Sequence, residues 1–338
     1  MQRPPRLAMM TLPTLDHFTA DILARLPAAS GWEVQKFMVT SPAVLAAALE
    51  WTNDPSRDAI WFEFCWPPFP AMIEATDFGG RRVIVRVHRI EAVETPYVAN
   101  TAWAKVDDVI VVSPDMRARV LSAAPEIQFT SRLHLIPNGI DTDRFTPGLS
   151  PDPKRIGWAG VMTLRKNPTL ALQILAKIHD VDPGYCLHIC GLNVEPFAME
   201  TFIYQLKGMG LERSVVWDGQ LPQQMMPEWH RKNSSFLHTS LHESFGYVVG
   251  EAALCGCRVA MLDHPGARDI WPSQMLYRTI DEAVELIIKP VRVETPQFVA
   301  NHYGINQFIA ANVNMLLGVS TVAIHGAVPS AHDNHRLK

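Results

Sequence analysis

"KRIGWAGVMTLRKNPTLALQILAKIHDVDPGYCLHICG", residues 154–191, reads as strand, helix, strand. "KRIGWAGV" has the length and composition of a strand. Asn167–His179 ("NPTLALQILAKIH") is a helix with Pro168 near its start, where a missing amide breaks no internal bond. "YCLHICG" is the next strand. Strands that alternate with helices in this way build a parallel, doubly wound α/β sheet.

The same alternation runs outward in both directions. Upstream, "RLAMMTL", "WEVQKFMV", "DAIWFEF", "RRVIVRVH" and "DDVIVVS" are strands, with helices such as "FTADILARL" and "SPAVLAAALEW" between them. Downstream, "SVVWDG", "SFLHTS" and "CGCRVAML" continue the pattern. The two runs are separated by "LHLIPNGIDTDRFTPGLSPDPKR", which carries proline, glycine and aspartate at turn positions. The expected division is therefore a first α/β domain over 1–147 and a second over 148–300. "PQFVANHYGINQFIAANVNMLLG" reads as two linked helices, and 301–318 is expected to pack back toward the first domain. Residues 319–338 are polar at their end, lack a helical period and are expected to be loose.

Bulk properties agree and narrow the function. At 338 residues the chain is too long for one ordinary core. With 48% hydrophobic and 19% charged residues it is globular rather than disordered. A net charge of −4 lacks the basic footprint of a nucleic-acid binder. Charges such as Arg25, Glu33 and Lys36 interrupt every apolar run short of a membrane span. The N-terminus lacks the core and cleavage site of a signal peptide, and five cysteines fit a reducing cytoplasm better than a disulfide framework.

"LHESFGYVVGEAALCG" (241–256) follows a strand and opens a helix. The first amides of that helix, near Ser244–Gly246, have no internal partners and attract anions, phosphate above all. Ser244 suits a cap, and Gly246 keeps side chains out of the way. Glu243 and Glu251 lie eight positions apart. That is about 12 Å of helical rise, so a sugar, a diphosphate and a ribose fit between them in that order. A bare pair of glutamates at this spacing is more often two solvated helix charges. The surroundings shift the balance, because Arg165 and Lys166 sit at the carboxyl end of a strand, where a diphosphate can be clamped.

The ordered set PNGIDTDRF, RKN, CG, DG and ESFG followed by Glu251 and Ala252 resembles glycosyltransferase family 4, over roughly residues 83–316. The resemblance implies a GT-B fold, with two Rossmann-like domains facing across a cleft. It also implies a retaining transfer of sugar from a nucleotide-diphosphate sugar to an acceptor hydroxyl. Glu243 is implied at the donor sugar, Glu251 at the ribose, and Arg165 and Lys166 at the diphosphate, with amides of Ser244, Phe245 and Gly246 between. Many members carry an arginine five residues before the lysine; this chain has Val161, and the adjacent Arg-Lys pair matches the alternative version. His88, at the end of the fourth strand, is implied near the donor sugar. The resemblance implies no metal and no cofactor beyond the donor substrate. Its partners are a nucleotide sugar and a carbohydrate or glycolipid acceptor. Peripheral contact with the inner face of a membrane is compatible with it, although no strong basic amphipathic helix is present.

The residues themselves add detail. Arg86 and His88 interrupt an apolar strand that a parallel sheet would fill with Val and Ile, and Glu63 is the expected partner of a buried Arg86. His88 also reads as a hydrogen-bonded structural histidine. The first loop, "TLPTLDHFTAD", lacks the glycines that family members often carry there. Asp16 and His17 are acceptor-side candidates, with Arg86 as a third, and Asp16 reads equally as a helix cap. Cys186, His188 and Cys190 share a strand face but are spread too far for one zinc tetrahedron, so core packing is expected. Cys255 and Cys257 read as small residues at a tight corner. Trp61 and Trp217 are expected in the core, and Trp66 facing the cleft. An inactive scaffold of the same fold is the competing reading from a different class, and a nucleotide-sugar epimerase the competing enzyme.

Overall fold

The computed structural model describes residues 3–13, 19–289 and 295–319. Two six-stranded sheets, parallel throughout, form the frame. The first is built from β1 (Arg6–Thr11), α1 (Ala20–Ser30), β2 (Glu33–Met38), α2 (Pro42–Trp51), β3 (Ala59–Phe62), α3 (Phe69–Ala75), β4 (Arg82–Arg86), α4 (Arg89–Val93), β5 (Asp108–Val111), α5 (Pro114–Ala123), α6 (Ile127–Thr130) and β6 (Arg132–Leu135), in strand order β2-β1-β3-β4-β5-β6. The second comprises β7 (Asp152–Ala159), α7 (Pro168–His179), β8 (Cys186–Cys190), α8 (Pro196–Gly208), β9 (Val215–Gly219), α9 (Met226–Arg231), β10 (Asn233–His238), α10 (Tyr247–Leu254), β11 (Arg258–Leu262), β12 (Leu276–Tyr277) and α11 (Ile280–Ile288), in order β12-β11-β10-β7-β8-β9. The chain then continues through α12 (Thr295–Tyr303) and α13 (Ile305–Leu316).

Burial follows position in the sheet. Central strands β3, β4 and β5 are buried almost throughout, on both faces, because helices cover both. The edge strands β2 and β9 are half exposed. Trp217 on β9 is accordingly 41% exposed, against the core position expected of it, whereas Trp61 on β3 is fully buried. "LHLI", read from sequence as part of the connector, is largely β6 of the first sheet.

One face of the first sheet packs against α1 and α13, through Leu7, Ile84 and Ile110 on the strands and Ile305, Phe308 and Ile309 on α13. Two arginines of β4 fix that last helix. Arg82 donates to the carbonyls of Met315 and Leu316 in the last turn, where a helix runs out of internal donors. Arg86 reaches Asn312. The chain therefore crosses between the domains twice, once in the connector and once at the α12–α13 junction. The crossings pair with each other: Ile140 N donates to Tyr303 O and Ile305 N to Ile140 O.

Candidate functional site

Two loops at the carboxyl ends of neighbouring strands meet in the second domain. After β7, residues Leu164–Lys166 form a single tight turn capped by the Thr163 hydroxyl, and Asn167 in a left-handed conformation hands over to α7. After β10, the chain runs through residues 239–246 to α10. The loops are laced by backbone and hydroxyl bonds. Leu241 N donates to Arg165 O at 2.9 Å, and the Thr239 hydroxyl donates to Lys166 O at 2.7 Å. Trp158 on β7 donates to Thr239 Oγ1 in turn.

This lacing places Glu243 against both cations. Arg165 donates to Glu243 Oε1 at 2.9 Å and to the His242 carbonyl at 3.0 Å; Lys166 Nζ lies 2.5 Å from the same carboxylate oxygen. Burial alone would raise the Glu243 pKa, but Lys166, His238 and Arg165 outweigh it and hold the carboxyl well below its usual range. His238, the last residue of β10, is 3% exposed with its Nε2 3.8 Å from Glu243 Oε1, and its burial lowers its own pKa. His264 lies beside it, with ring centroids 6.1 Å apart, and burial lowers its pKa to about 4. Two buried histidines thus back a carboxylate held by two cations.

The rest of the glutamate segment follows. Gly246 starts α10 at φ +86°, a conformation that a residue with a Cβ adopts only with strain. Phe245 is buried among Tyr247, Trp271 and Tyr303, and its carbonyl accepts from Trp271 Nε1. Ser244 is half-buried in the turn before the helix. Glu251, one turn from the end of α10, is 5% exposed. Gln223 donates to its Oε1 at 3.1 Å, and the fully buried His230 approaches its Oε2 at 3.7 Å.

In the first domain, His88 caps the start of α4. Its Nε2 meets the Glu63 carbonyl at 2.9 Å, its ring stacks on Phe64, and its backbone amide donates to the buried Glu91 carboxylate. The side chain is 16% exposed, so both readings of His88 have a footing here: it is anchored by hydrogen bonds and still reaches solvent. Burial raises the Glu91 pKa to about 7. Arg86 does not open on the cleft. It is 1% exposed, 3.6 Å from Glu63, bonded to Asn138 and Asn312, and flanked by the rings of Trp61 and Phe308. Its place as an acceptor-side residue is therefore corrected to a buried tie between the sheet, the connector and α13. Asp16 and His17 lie outside the described residues.

Sequence reasoning passed over His238, His242, His264, Gln223 and Asp115. The signal was available for two of these: "SFLHTSLHES" puts a histidine at a strand's carboxyl end and another immediately before Glu243. Asp115 and His264 come from distant segments, and only folding brings them to the site. His188 bonds to Asp218 and Cys190 is buried; among the described residues no group of three His, Cys, Asp or Glu could hold a metal ion. Cys255 and Cys257 are buried on either side of the exposed Gly256, and Trp66 packs edge-on against Tyr97. No helix of the described residues is long and apolar enough to cross a membrane.

Comparison with known proteins gives this geometry a context. Residues 139–273 match the family model for glycosyl transferases group 1. A D-inositol 3-phosphate glycosyltransferase of Xylanimonas cellulosilytica is 26% identical over 155 residues, 41% of this chain and 37% of the relative. A GDP-mannose-dependent alpha-(1-6)-phosphatidylinositol monomannoside mannosyltransferase of Mycolicibacterium smegmatis is 25% identical over 260 residues, 69% of this chain and 66% of the relative. The chain thus matches well under half the length of the first of these. Among solved structures, Anabaena Alr3699/HepE in complex with UDP and glucose superposes with a TM-score of 0.75 at 14% identity, covering 93% of this chain and all of that one. The chain is a two-domain α/β protein of GT-B fold whose second domain is similar to glycosyl transferases group 1.

Proposed function

We propose that the protein transfers a sugar from a nucleotide-diphosphate donor to the hydroxyl of a carbohydrate or glycolipid acceptor, keeping the anomeric configuration. The observation that carries this reading is the convergence of Arg165, Lys166 and Glu243 at the start of α10, on loops laced at the carboxyl ends of β7 and β10. Ligands of open α/β sheets bind at such ends. The donor diphosphate would take the two cations and the first amides of α10, and its ribose would meet Glu251. As the sugar–phosphate bond breaks, negative charge grows on the leaving diphosphate, and preorganised cations stabilise that charge more than the ground state. Glu243, freed from part of its pairing, would turn to sugar hydroxyls. His88 and the first-domain loops face the sugar from the other side, and domain closure excludes water.

The nucleotide base is open between relatives, since UDP occupies the HepE complex and GDP-mannose stands in the mycobacterial enzyme's name. Thermal stability with UDP, GDP and ADP, free and as sugar conjugates, resolves it in wild type and Glu251→Ala. A ligand that binds the native state raises the melting temperature by mass action. One nucleotide should raise it selectively, and the substitution should weaken the effect. No shift with any of them at millimolar concentration would remove the enzyme reading in favour of a scaffold that keeps only the fold.

A further inference from the structure

The first domain touches the Glu243 loop directly. α5 begins after β5 with Ser113 as its cap, and Asp115 lies in its first turn. Asp115 Oδ2 is 3.0 Å from His242 Nε2 in the second domain. The same oxygen accepts from Arg119, one turn along α5, at 2.8 Å. The contact is sheltered: the two side chains are 17% and 12% exposed. The backbone is shaped around it. Gly266 of the second domain stands at φ +82°, and a Cβ there would come within 2.7 Å of Asp115 Cβ. So the second domain presents a bare backbone where Asp115 approaches.

His242 joins this contact to the site. Its carbonyl holds Arg165, and the next residue is Glu243. Its Nε2–H donates to Asp115, which leaves Nδ1 unprotonated in the neutral ring. Nδ1 is buried and has no hydrogen-bond partner among the described residues. One carboxylate of the first domain therefore fixes the ring, and through it the peptide whose carbonyl holds Arg165 and which leads into Glu243.

We propose that Asp115 is a positioning residue for donor binding: by accepting from His242 it latches the first domain onto the Glu243 loop and holds the cleft in its closed, donor-competent form. This rests on the reading that the second domain binds a nucleotide sugar. The connector crossing at Ile140 and Gly304 joins the domains at another place, so loss of the latch would free one contact without separating them.

The test uses Asp115→Asn and Asp115→Glu in the full chain. Interdomain distance is measured between one spin label on each domain, first without ligand and then with the nucleotide diphosphate that shifts wild type. Asp115→Asn should lengthen and broaden the ligand-free distance distribution. It should raise the donor KM by about tenfold, the share of a charge-assisted hydrogen bond, while kcat at saturation stays within about twofold. Asp115→Glu should restore part of both. A partly misfolded variant would show the reverse, with a lower kcat and an unchanged KM. Unchanged distances and an unchanged donor KM in Asp115→Asn would overturn the latch and leave Asp115 as a partner of Arg119 alone. If wild type binds no nucleotide sugar, the transferase reading falls; the ligand-free distances still decide whether Asp115 latches the domains.

Discussion

Replacing Glu243 by Gln should strengthen nucleotide binding while it weakens transfer. In the ligand-free protein the carboxylate occupies Arg165 and Lys166, at 2.9 and 2.5 Å. A donor diphosphate must share or displace it. The substitution removes the competing charge but keeps the size of the side chain. A hydrogen bond to a charged group contributes about 1.5–3 kcal/mol. The cations here keep 27% and 13% of their side-chain surface exposed, so the low end applies to the pair together. A gain of about 1.5 kcal/mol corresponds to roughly tenfold tighter binding of the nucleotide diphosphate. Transfer should fall by about a hundredfold, because the group proposed to meet the sugar loses its charge. Calorimetric titration with the free nucleotide gives the first number and initial rates with its sugar conjugate the second. Without ligand the variant should be less stable, since two sheltered cations lose their anion. The sign with pH follows from the lowered pKa of Glu243. Its contribution is fully present above the ordinary glutamate value of about 4.5 and is lost as pH falls through the lower folded value. The stability gap between wild type and variant should therefore be full at pH 7 and close only in acid. Nucleotide binding that is unchanged or weaker in Glu243→Gln would refute the claim that Glu243 competes for the cations.

Glu91 should behave in the opposite sense. Its folded pKa is raised to about 7, so the native state favours the protonated form, and stability present below about pH 4.5 is lost as pH rises through 7. Glu91→Gln should match wild type near pH 4.5 and exceed it by about 2–3 kcal/mol above pH 7 in urea unfolding; a constant difference across that range would exclude the raised pKa. Glu63→Ala should cost about 3–5 kcal/mol by leaving Arg86 buried without its anion, and adding Arg86→Met should recover part of the loss. Strictly additive losses in that double-mutant cycle would mean that the two groups do not interact.

Most of the frame could be read from alternation alone, because parallel strands covered on both faces are continuous apolar runs and the helices between them are amphipathic. The exceptions have physical causes. "RLHL" of β6 has the polar look of an outer strand and lies beside the proline-rich connector, so it reads as loop until β5 pairs with it. Trp217 looked like core because a tryptophan in a strand usually is, but the chain does not say which strand ends up at an edge. At the site, local segments carried Glu243, Arg165 and Lys166, since each follows a strand and precedes a helix. They did not reveal that the glutamate rests on the two cations, because the contact closes across 77 and 78 positions of sequence. Arg86 was recognisable as an anomaly in an apolar strand, and Glu63 as its partner. Its other partners, Asn138 and Asn312, come from the connector and the last helix, which no local pattern ties to β4.

The seat of α13 has a consequence for how the protein is made. The strands of the first sheet are complete by Leu135, yet one of its faces is sealed by Ile305, Phe308 and Ile309, which leave the ribosome only after the whole second sheet. The second sheet, from β7 to β12, has its strands and its α7 and α11 cover in hand earlier. Domains usually finish folding in the order of translation. Here the domain synthesised first is the one that must wait: a nascent chain stalled before residue 305 would carry a finished second sheet behind an unsealed first one.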